Sequence, residues 1–364
     1  MRFANVCIEA FGYTLPDEIL STSEVESRLS PLYERLRLPE GRLELITGVR
    51  ERRFFPRGTT CSSVSIQSCR EALGIAEFDA NQIGALIHAS VCRDHLEPAT
   101  ACAVHHGLGL RTDCQIFDLS NACLGLLNGV LQIATMIEAG QIRAGLVVGT
   151  ESGRQLVETT IKTLNADTTL TRKTVKGAIA SLTIGSGSCA ILVTHKDLSQ
   201  TNNRLVGGSV LANTKFHELC QSGADEAGSG MSPLMETDSE TLMREGCATG
   251  AANFAQFLQE LSWDRNTIDK TICHQVGPAH RKMMFESLEM NVEKDFSTVE
   301  LLGNTGSVAL PITMAVAAQH GHLESEDNVG LFGIGSGINC VMLGCAWEKS
   351  LVGTRTPLLM GQLS

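Results

Sequence analysis

The sequence predicts an α/β fold made of two similar halves, and three observations predict it. First, short apolar runs such as IGALIHASV (83–91) and RAGLVVGTES (143–152) alternate with stretches of helical period. Second, the tetrapeptide IGSG occurs at 184–187 and again at 334–337, each time ahead of an apolar run, at an offset of 150 residues. The same offset carries Cys123 onto Cys273, next to His274. Third, residues 115–140 read as a buried strand, a turn and a helix. Gln115–Leu119 is the strand, Ser120 and Asn121 are turn and cap residues, and Leu124–Ala139 is apolar on nearly every face before Gly140 ends it. A helix apolar all round is a buried one. Each half thus reads as a strand ending at a reactive residue type, followed by a glycine hairpin.

Composition narrows the function. The chain of 364 residues is 43% hydrophobic with 35 glycines, enough for one large domain or two medium ones with many tight turns. A net charge of −11 disfavours non-specific nucleic-acid binding and leaves room for a local basic site. No apolar run reaches about 18 residues, so no integral membrane segment is expected. Glu9 comes too early for a signal-peptide core, and an odd count of 13 cysteines then points to reduced thiols in a cytoplasmic protein.

In chain order, residues 3–9 read as a strand, 24–36 as a helix, and 40–45 as the start of another. ITGVRERRF (46–54) sets Arg50, Arg52 and Arg53 beside a glycine turn, either a solvated basic loop or a phosphate contact. Residues 62–75 are a helix, 83–91 a buried strand, and 92–110 a loop running into a short helix. After the central helix, 143–152 is a strand, 153–178 an inserted helical cap, and 181–193 a return to the sheet. Residues 195–204 connect the halves, which gives an N-terminal unit over 1–195 and a C-terminal unit over 204–350. In the second unit, 204–213 is a strand, 217–235 a glycine- and acid-containing loop, 240–262 a long helix, 267–276 a helix end and strand, and 278–288 a helix. Residues 297–321 read as strand, glycine turn and helix, 328–347 as a hairpin, and 350–364 show no pattern.

The candidates for chemistry are Cys123, His274, Asn304 and the glycines 335–337, which taken alone read equally as a buried thiol, a structural histidine, a turn asparagine and a glycine turn. A cysteine at a helix N-terminus faces unpartnered N–H groups and the positive end of the helix dipole, so its pKa is expected to fall. His274 ends a strand in ICHQVGPAH, and Asn304 opens a helix in GNTGSVALP. Together these suit acyl transfer: a thiolate attacks a thioester, side-chain donors hold one developing oxyanion, and backbone N–H groups hold another. Glu97, ahead of Pro98, is a surface loop residue or a general base. No metal site is expected, since Cys102 with His105 and His106 lacks a second cysteine pair.

These residues resemble the thiolase superfamily, in particular enzymes of the β-ketoacyl-ACP synthase III type, across about residues 3–347. The matching pieces are TGVRERR, the SNAC around Cys123, HQVGPAH, GNTGSVALP and GIGSGINC. The resemblance implies a five-layered αβαβα fold and a homodimer. The loop SVCRDHLEPATA (90–101) is similar to that of the head-to-head acyl-CoA condensing thiolases that start long-chain olefin biosynthesis. In that subgroup a loop glutamate acts as base in the partner subunit's site, and the position falls on Glu97. The resemblance then implies that Cys123 takes the first acyl group, His274 and Asn304 hold the enolate oxygen, and the backbone N–H groups of Cys123 and Gly337 hold the acyl-enzyme oxygen. Malonyl-using synthases commonly carry a tryptophan near the TGIRER motif, and here Arg42 sits in about that place. Arg42 and Arg50 are the candidate contacts for coenzyme A, which enters as part of the substrate, with no separate cofactor.

A plain acyl-CoA donor needs a base to form its carbanion, whereas a malonyl donor generates one by losing carbon dioxide. The first reading is therefore non-decarboxylative condensation of two acyl-CoAs to a β-keto acid or β-ketoacyl thioester. The runner-up is a decarboxylative synthase using acyl-CoA and a malonyl carrier protein. A hydroxymethylglutaryl-type synthase is third, and a partner subunit without activity is the non-enzyme alternative.

Overall fold

The computed structural model describes residues 1–222 and 235–359. Ten strands form the backbone of one mixed sheet: β1 (Val6–Thr14), β2 (Ala85–Ala89), β3 (Gln115–Leu119), β4 (Ala144–Glu151) and β5 (Gly187–His195), then β6 (Arg204–Ala212), β7 (Lys270–Cys273), β8 (Asp295–Phe296), β9 (Asn328–Gly335) and β10 (Asn339–Ala346). Their order is β8-β7-β9-β10-β6-β1-β5-β4-β2-β3. Read outward from the middle, β6-β10-β9-β7-β8 repeats β1-β5-β4-β2-β3. Strands β1 and β6 share one ladder pair, Cys7 with Arg204, flanked by Ile8 N–H to Asn203 O at 2.9 Å and Phe3 N–H to Val206 O at 3.0 Å.

Seven helices matter for the site: α1 (Cys61–Ile75), α2 (Thr100–Leu108), α3 (Gly125–Glu138), α4 (Arg154–Ala166), α5 (Ser239–Leu261), α6 (Pro278–Leu288) and α7 (Ala309–Gln319). Helices α3 and α7 share one core with β1, β5, β9 and β10. Helices α1 and α2 cover the outer face of the first half-sheet, and α5 and α6 that of the second. The result is the five-layered αβαβα arrangement. Every residue from Ala309 to Ala318 is buried, so α7 can exist only with protein on all sides.

The repeat is real in topology but its offset differs from the one the glycines suggest. From β4 to β9 and from α3 to α7 the shift is 184 residues, from 144 to 328 and from 125 to 309. The IGSG pair reports 150 because the first half carries an insertion between β4 and β5 where the second has a tight hairpin. Cys123 therefore does not correspond to Cys273. Its counterpart lies in the turn before α7, three residues beyond Asn304.

Several expected elements shift for identifiable reasons. The helix expected over 24–36 is two helices, Thr22–Arg28 and Ser30–Leu36. Pro31 cannot continue a helix begun upstream, because it lacks an N–H and its ring meets the carbonyl four residues back. The strand expected at 297–302 is a short helix, Val299–Leu302, with the strand moved to β8. Gln275 causes this, its Oε1 accepting from the N–H groups of Thr298 and Val299. Residues 179–182 are helical rather than strand, and 183–186 leave the sheet to pair with Asn304. Strand β3 is not buried but is the half-exposed outer edge of its half-sheet. The tail supplies a further strand, Val352–Gly353, parallel to β1. Of the loop expected at 217–235, residues 223–234 lie outside the described residues, while Cys220–Ser222 pairs with Met235–Thr237.

The connection at 195–204 is pinned by Glu9. A register shift between Ile8 and Ala10 accompanies its placement, and its buried carboxylate accepts from Gln200 N–H at 2.8 Å and from the hydroxyls of Ser199 and Thr201. The insertion over 153–178 packs Val157, Ile161 and Leu164 against Leu20, Leu29, Leu32 and Leu43 of the N-terminal segment.

Gly149 is where the first half-sheet meets the central layer. A Cβ there would stand 2.4 Å from Ala89 O, 2.9 Å from Leu126 Cδ1 and 3.1 Å from Val308 Cγ1. Gly149→Val should destabilise the protein by about 1–3 kcal/mol through overpacking, seen as a lower denaturation midpoint in urea. An unchanged midpoint would mean this contact is looser than its distances state.

Candidate active site

Strand β3 ends at Leu119, and the next residues make a tight turn into α3. Ala122 adopts φ +44, a left-handed conformation unusual for alanine. Within the turn the Leu124 N–H bonds Asn121 O at 2.9 Å and the Gly125 N–H bonds Ala122 O at 3.4 Å. Two of the first amides of the helix are thus already occupied. Cys123 lies deep in the protein yet keeps part of its surface open. The expected fall in its pKa does not occur: burial, with the Cys220 and Glu151 charges adding to it, pushes the thiol up to about 12. Desolvation outweighs a helix end whose donors are committed elsewhere.

The glycine hairpin between β9 and β10 closes on this turn. A Cβ at Gly335 would lie 3.2 Å from Leu124 Cγ, 3.5 Å from Cys123 N and 3.6 Å from Cys123 Cβ, so the hairpin packs directly on the turn. Three asparagines lace the two together. Asn121 donates to Asn128 Oδ1 at 2.8 Å, and Asn339 donates to Asn121 Oδ1 at 3.2 Å and to Ser336 O at 3.1 Å. Gly337 sits in this hairpin at φ +129, and a side chain there would strike Asn339.

His274 follows β7, its N–H bonded to Phe332 O at 3.0 Å, three residues from Gly335. Its neighbours on both sides are fixed. Cys273 N–H donates to the buried Asp295, itself paired with Arg281 at 2.6 Å, and Gln275 Nε2 donates to Cys273 O at 2.7 Å. Burial, with His280 nearby, pushes the His274 imidazole down to about 3, so it is neutral near pH 7. Its Nδ1 is buried with no protein partner among the described residues.

Asn304 stands on a turn held by the chain before β5. Its N–H bonds Thr183 O at 2.9 Å, and Gly185 N–H bonds its carbonyl at 2.9 Å. Its own Oδ1 accepts from Gly306 N–H at 2.9 Å, which leaves Nδ2 as the donor end of the amide. The turn after β3, the end of β7 and the turn before α7 thus carry a thiol, a neutral imidazole and an amide whose Nδ2 is its donor end.

Glu97 is exposed in this single chain. Its loop is anchored at both ends: Asp94 accepts from Ser62 N–H, and Asp118 of β3 accepts from the N–H groups of Thr100 and Ala101. Arg42 opens the helix Arg42–Thr47 and lines a small apolar cleft with Leu32, Tyr33 and Leu164. Arg50 carries a carboxylate partner, Glu300, at 2.8 Å. Arg52 and Arg53 are neither solvated nor open to a phosphate, since both are buried in the strand Glu51–Phe54. Arg52 instead donates to Leu20 O and Leu182 O, bracing the segment that holds Asn304, and burial pushes its pKa down to about 10.

Sequence reasoning missed Glu151 altogether. It ends β4, is 6% exposed, and touches both the Glu97 loop and the Asn304 turn. The only signal was a carboxylate closing an otherwise apolar strand.

The C-terminal domain family of 3-oxoacyl-[acyl-carrier-protein] synthase III matches residues 258–347. Over 351 residues the chain is 43% identical to the acyl-CoA:acyl-CoA alkyltransferase of Shewanella oneidensis, covering 95% of this chain and 100% of that protein. It is 31% identical over 347 residues to the protein of the same name from Xanthomonas campestris pv. campestris, covering 95% and 100%. A cysteine-to-serine variant of Xanthomonas campestris OleA, solved with bound lauric acid and lauroyl-CoA, matches with a TM-score of 0.88 at 31% identity, covering 95% of this chain and 100% of that one.

The buried histidines make stability depend on pH. At pH 5 an unfolded chain holds a proton on the His274 imidazole, with its ordinary pKa of about 6.5, while the folded chain does not. Acid therefore favours unfolding from pH 6.5 down to about 3, and His280, pushed down to about 4, adds to the effect. Asp295, pushed up to about 6 by burial, opposes it, since the folded state then holds the extra proton. His274→Gln should shrink the fall in Tm between pH 6.5 and 4.5. An undiminished fall would mean that His274 is not held neutral.

Proposed function

Because this chain belongs to the acyl-CoA:acyl-CoA alkyltransferase family of the thiolase superfamily, we propose that it joins two acyl-CoAs head to head by a non-decarboxylative Claisen condensation. In the first half-reaction the Cys123 sulfur attacks the thioester carbonyl of one acyl-CoA. The acyl–cysteine bond forms, the bond to coenzyme A breaks, and free CoA leaves with the proton. In the second, Glu97 removes a proton from the α-carbon of another acyl-CoA. The carbanion attacks the acyl-enzyme carbonyl, a carbon–carbon bond forms, and the Cys123 sulfur departs and is reprotonated. The product is a β-ketoacyl-CoA, or a β-keto acid after hydrolysis.

The side chains fit these two steps. A neutral His274 and the Nδ2 of Asn304 donate to the enolate oxygen without adding a fixed charge. The backbone N–H groups of Cys123 and Gly337 serve the acyl-enzyme oxygen. Arg42 is the better placed of the two arginines for the CoA nucleotide, because Arg50 already has Glu300. No cofactor beyond the CoA of the substrates is needed. We read the protein as a cytoplasmic enzyme of lipid biosynthesis, its thiols reduced.

The observation that carries the reading is the position of Glu97. It stands exposed on a loop beside β3, the bare edge of the half-sheet. A base cannot work in open solvent, and an unpaired edge strand invites a second copy. A homodimer formed across β3 would bury the loop and turn Glu97 toward the partner's Cys123.

Glu97→Gln keeps the shape and removes the base. Offered lauroyl-CoA alone, this variant should acylate Cys123 normally while condensation falls by roughly 10²–10⁴. Mass spectrometry would then show acyl-enzyme accumulating on Cys123. Condensation that survives, or a product that forms only with a malonyl donor, would return the chain to the decarboxylative synthases.

A further inference from the structure

We propose that Glu151 is a positioning residue that ties the Glu97 loop to the Asn304 turn, so that each chain supports the oxyanion donor of its own site and the base of its partner's. The inference rests on the reading of Glu97 as a base acting across the dimer.

Glu151 is the last residue of β4, buried, and among the described residues no cation is paired with it. A bare carboxylate inside a protein is costly unless N–H and O–H donors converge on it. Here they come from two separate segments. Val91 N–H donates to Oε1 at 3.0 Å and Cys92 N–H to Oε2 at 3.2 Å, both at the root of the loop that carries Glu97. From the other side Ser307 Oγ lies 2.5 Å from Oε1 and Ser307 N 3.4 Å from it, three residues beyond Asn304. Gly306, whose N–H orients the Asn304 amide, packs so closely that a Cβ there would sit 3.3 Å from the Glu151 carboxyl carbon. One side chain therefore fixes the backbone of both segments.

The two segments serve different sites. The Asn304 turn lies with the chain's own Cys123, whereas the Glu97 loop points outward at the sheet edge. A disturbance at Glu151 is felt in both active sites of a dimer at once. Glutamine cannot substitute, because its NH₂ group would face the Cys92 N–H, donor against donor.

Mixed dimers separate the two effects. The reference pairs a Cys123→Ala chain with a Glu97→Gln chain, which leaves one working site, its base supplied by the Cys123→Ala chain. Adding Glu151→Gln to the Cys123→Ala chain touches only the base loop of that site. Adding it to the Glu97→Gln chain touches its Asn304 turn and removes the Glu151 charge that acts on its Cys123. With lauroyl-CoA, each addition should lower condensation tenfold or more. The first should leave acylation of Cys123 at the reference rate. Ser307→Ala, which loosens the turn alone, should act only in the second arrangement. An arm that matches the reference, or a first arm in which acylation falls in step, overturns the proposal. Amide hydrogen exchange on the Glu151→Gln homodimer decides the link by itself: peptides over 90–98 and 303–308 should both exchange faster. If only one or neither does, Glu151 does not join them. A reference dimer without activity, beside paired acceleration in exchange, would reject the cross-dimer base and retain the link.

Discussion

One helix in this chain is buried on every side and a second on all but a narrow stripe, and that constraint organises the rest. Helix α7 cannot face water from Ala309 to Ala318, and α3 shows water only a narrow stripe at Gln132 and Thr135, so each needs a half-sheet above and below it. One half-sheet has only two faces and cannot surround both helices. Two half-sheets can, and they need touch each other only along the short seam around Cys7 and Arg204, because the helices between them do the joining. Once the pair is sandwiched, the turns that enter both helices lie with the carboxyl ends of the parallel strands. Cys123 enters one helix and Asn304 the other. The positions of Cys123 and Asn304 are thus products of the same packing requirement, met twice.

At rest the site gathers little charge of its own. The thiol holds its proton, the imidazole carries none, and the third donor is an amide. In the proposed reaction charge develops there only as bonds are made and broken, which suits donors that carry no fixed charge. The neighbouring anion, Glu151, is covered by N–H and O–H groups drawn from two segments.

What the sequence made legible was whatever leaves a local trace. The mostly apolar helix before Gly140, the hairpin over 328–347 and the helix over 278–288 can each be read from a dozen or so consecutive residues. Cys123, His274 and Asn304 could be singled out because each marks a handover from turn or strand at a recognisable motif, and the structure places each of them at such a handover. Features made by distant parts of the chain were not. Arg52 and Arg53 look solvated until Leu20 and Leu182 provide carbonyls for the first and the fold closes over both. The strand assigned near Val299 yields to Gln275, 24 residues earlier. The depressed thiol pKa was inferred from a helix end taken alone, and the turn at Asn121 and Ala122 had already used its amides. Glu151 gave no warning because its partners lie 60 and 156 residues away. The glycine repeat misled about register because the insertion after β4 lies in one half only.

The protonated state of Cys123 has a meaning outside catalysis. Oxidation to sulfenic acid and beyond proceeds through the thiolate, and it favours thiols that are acidic and exposed. A sulfur held as the thiol, deep in the protein, is a poor target for peroxide and for stray electrophiles. Only a ligand that fills the remaining opening and brings its own carbonyl to the sulfur meets it on favourable terms. In a chain of 13 unbridged cysteines, most of them buried, selectivity between substrate and oxidant then comes from withholding reactivity until the acyl chain arrives.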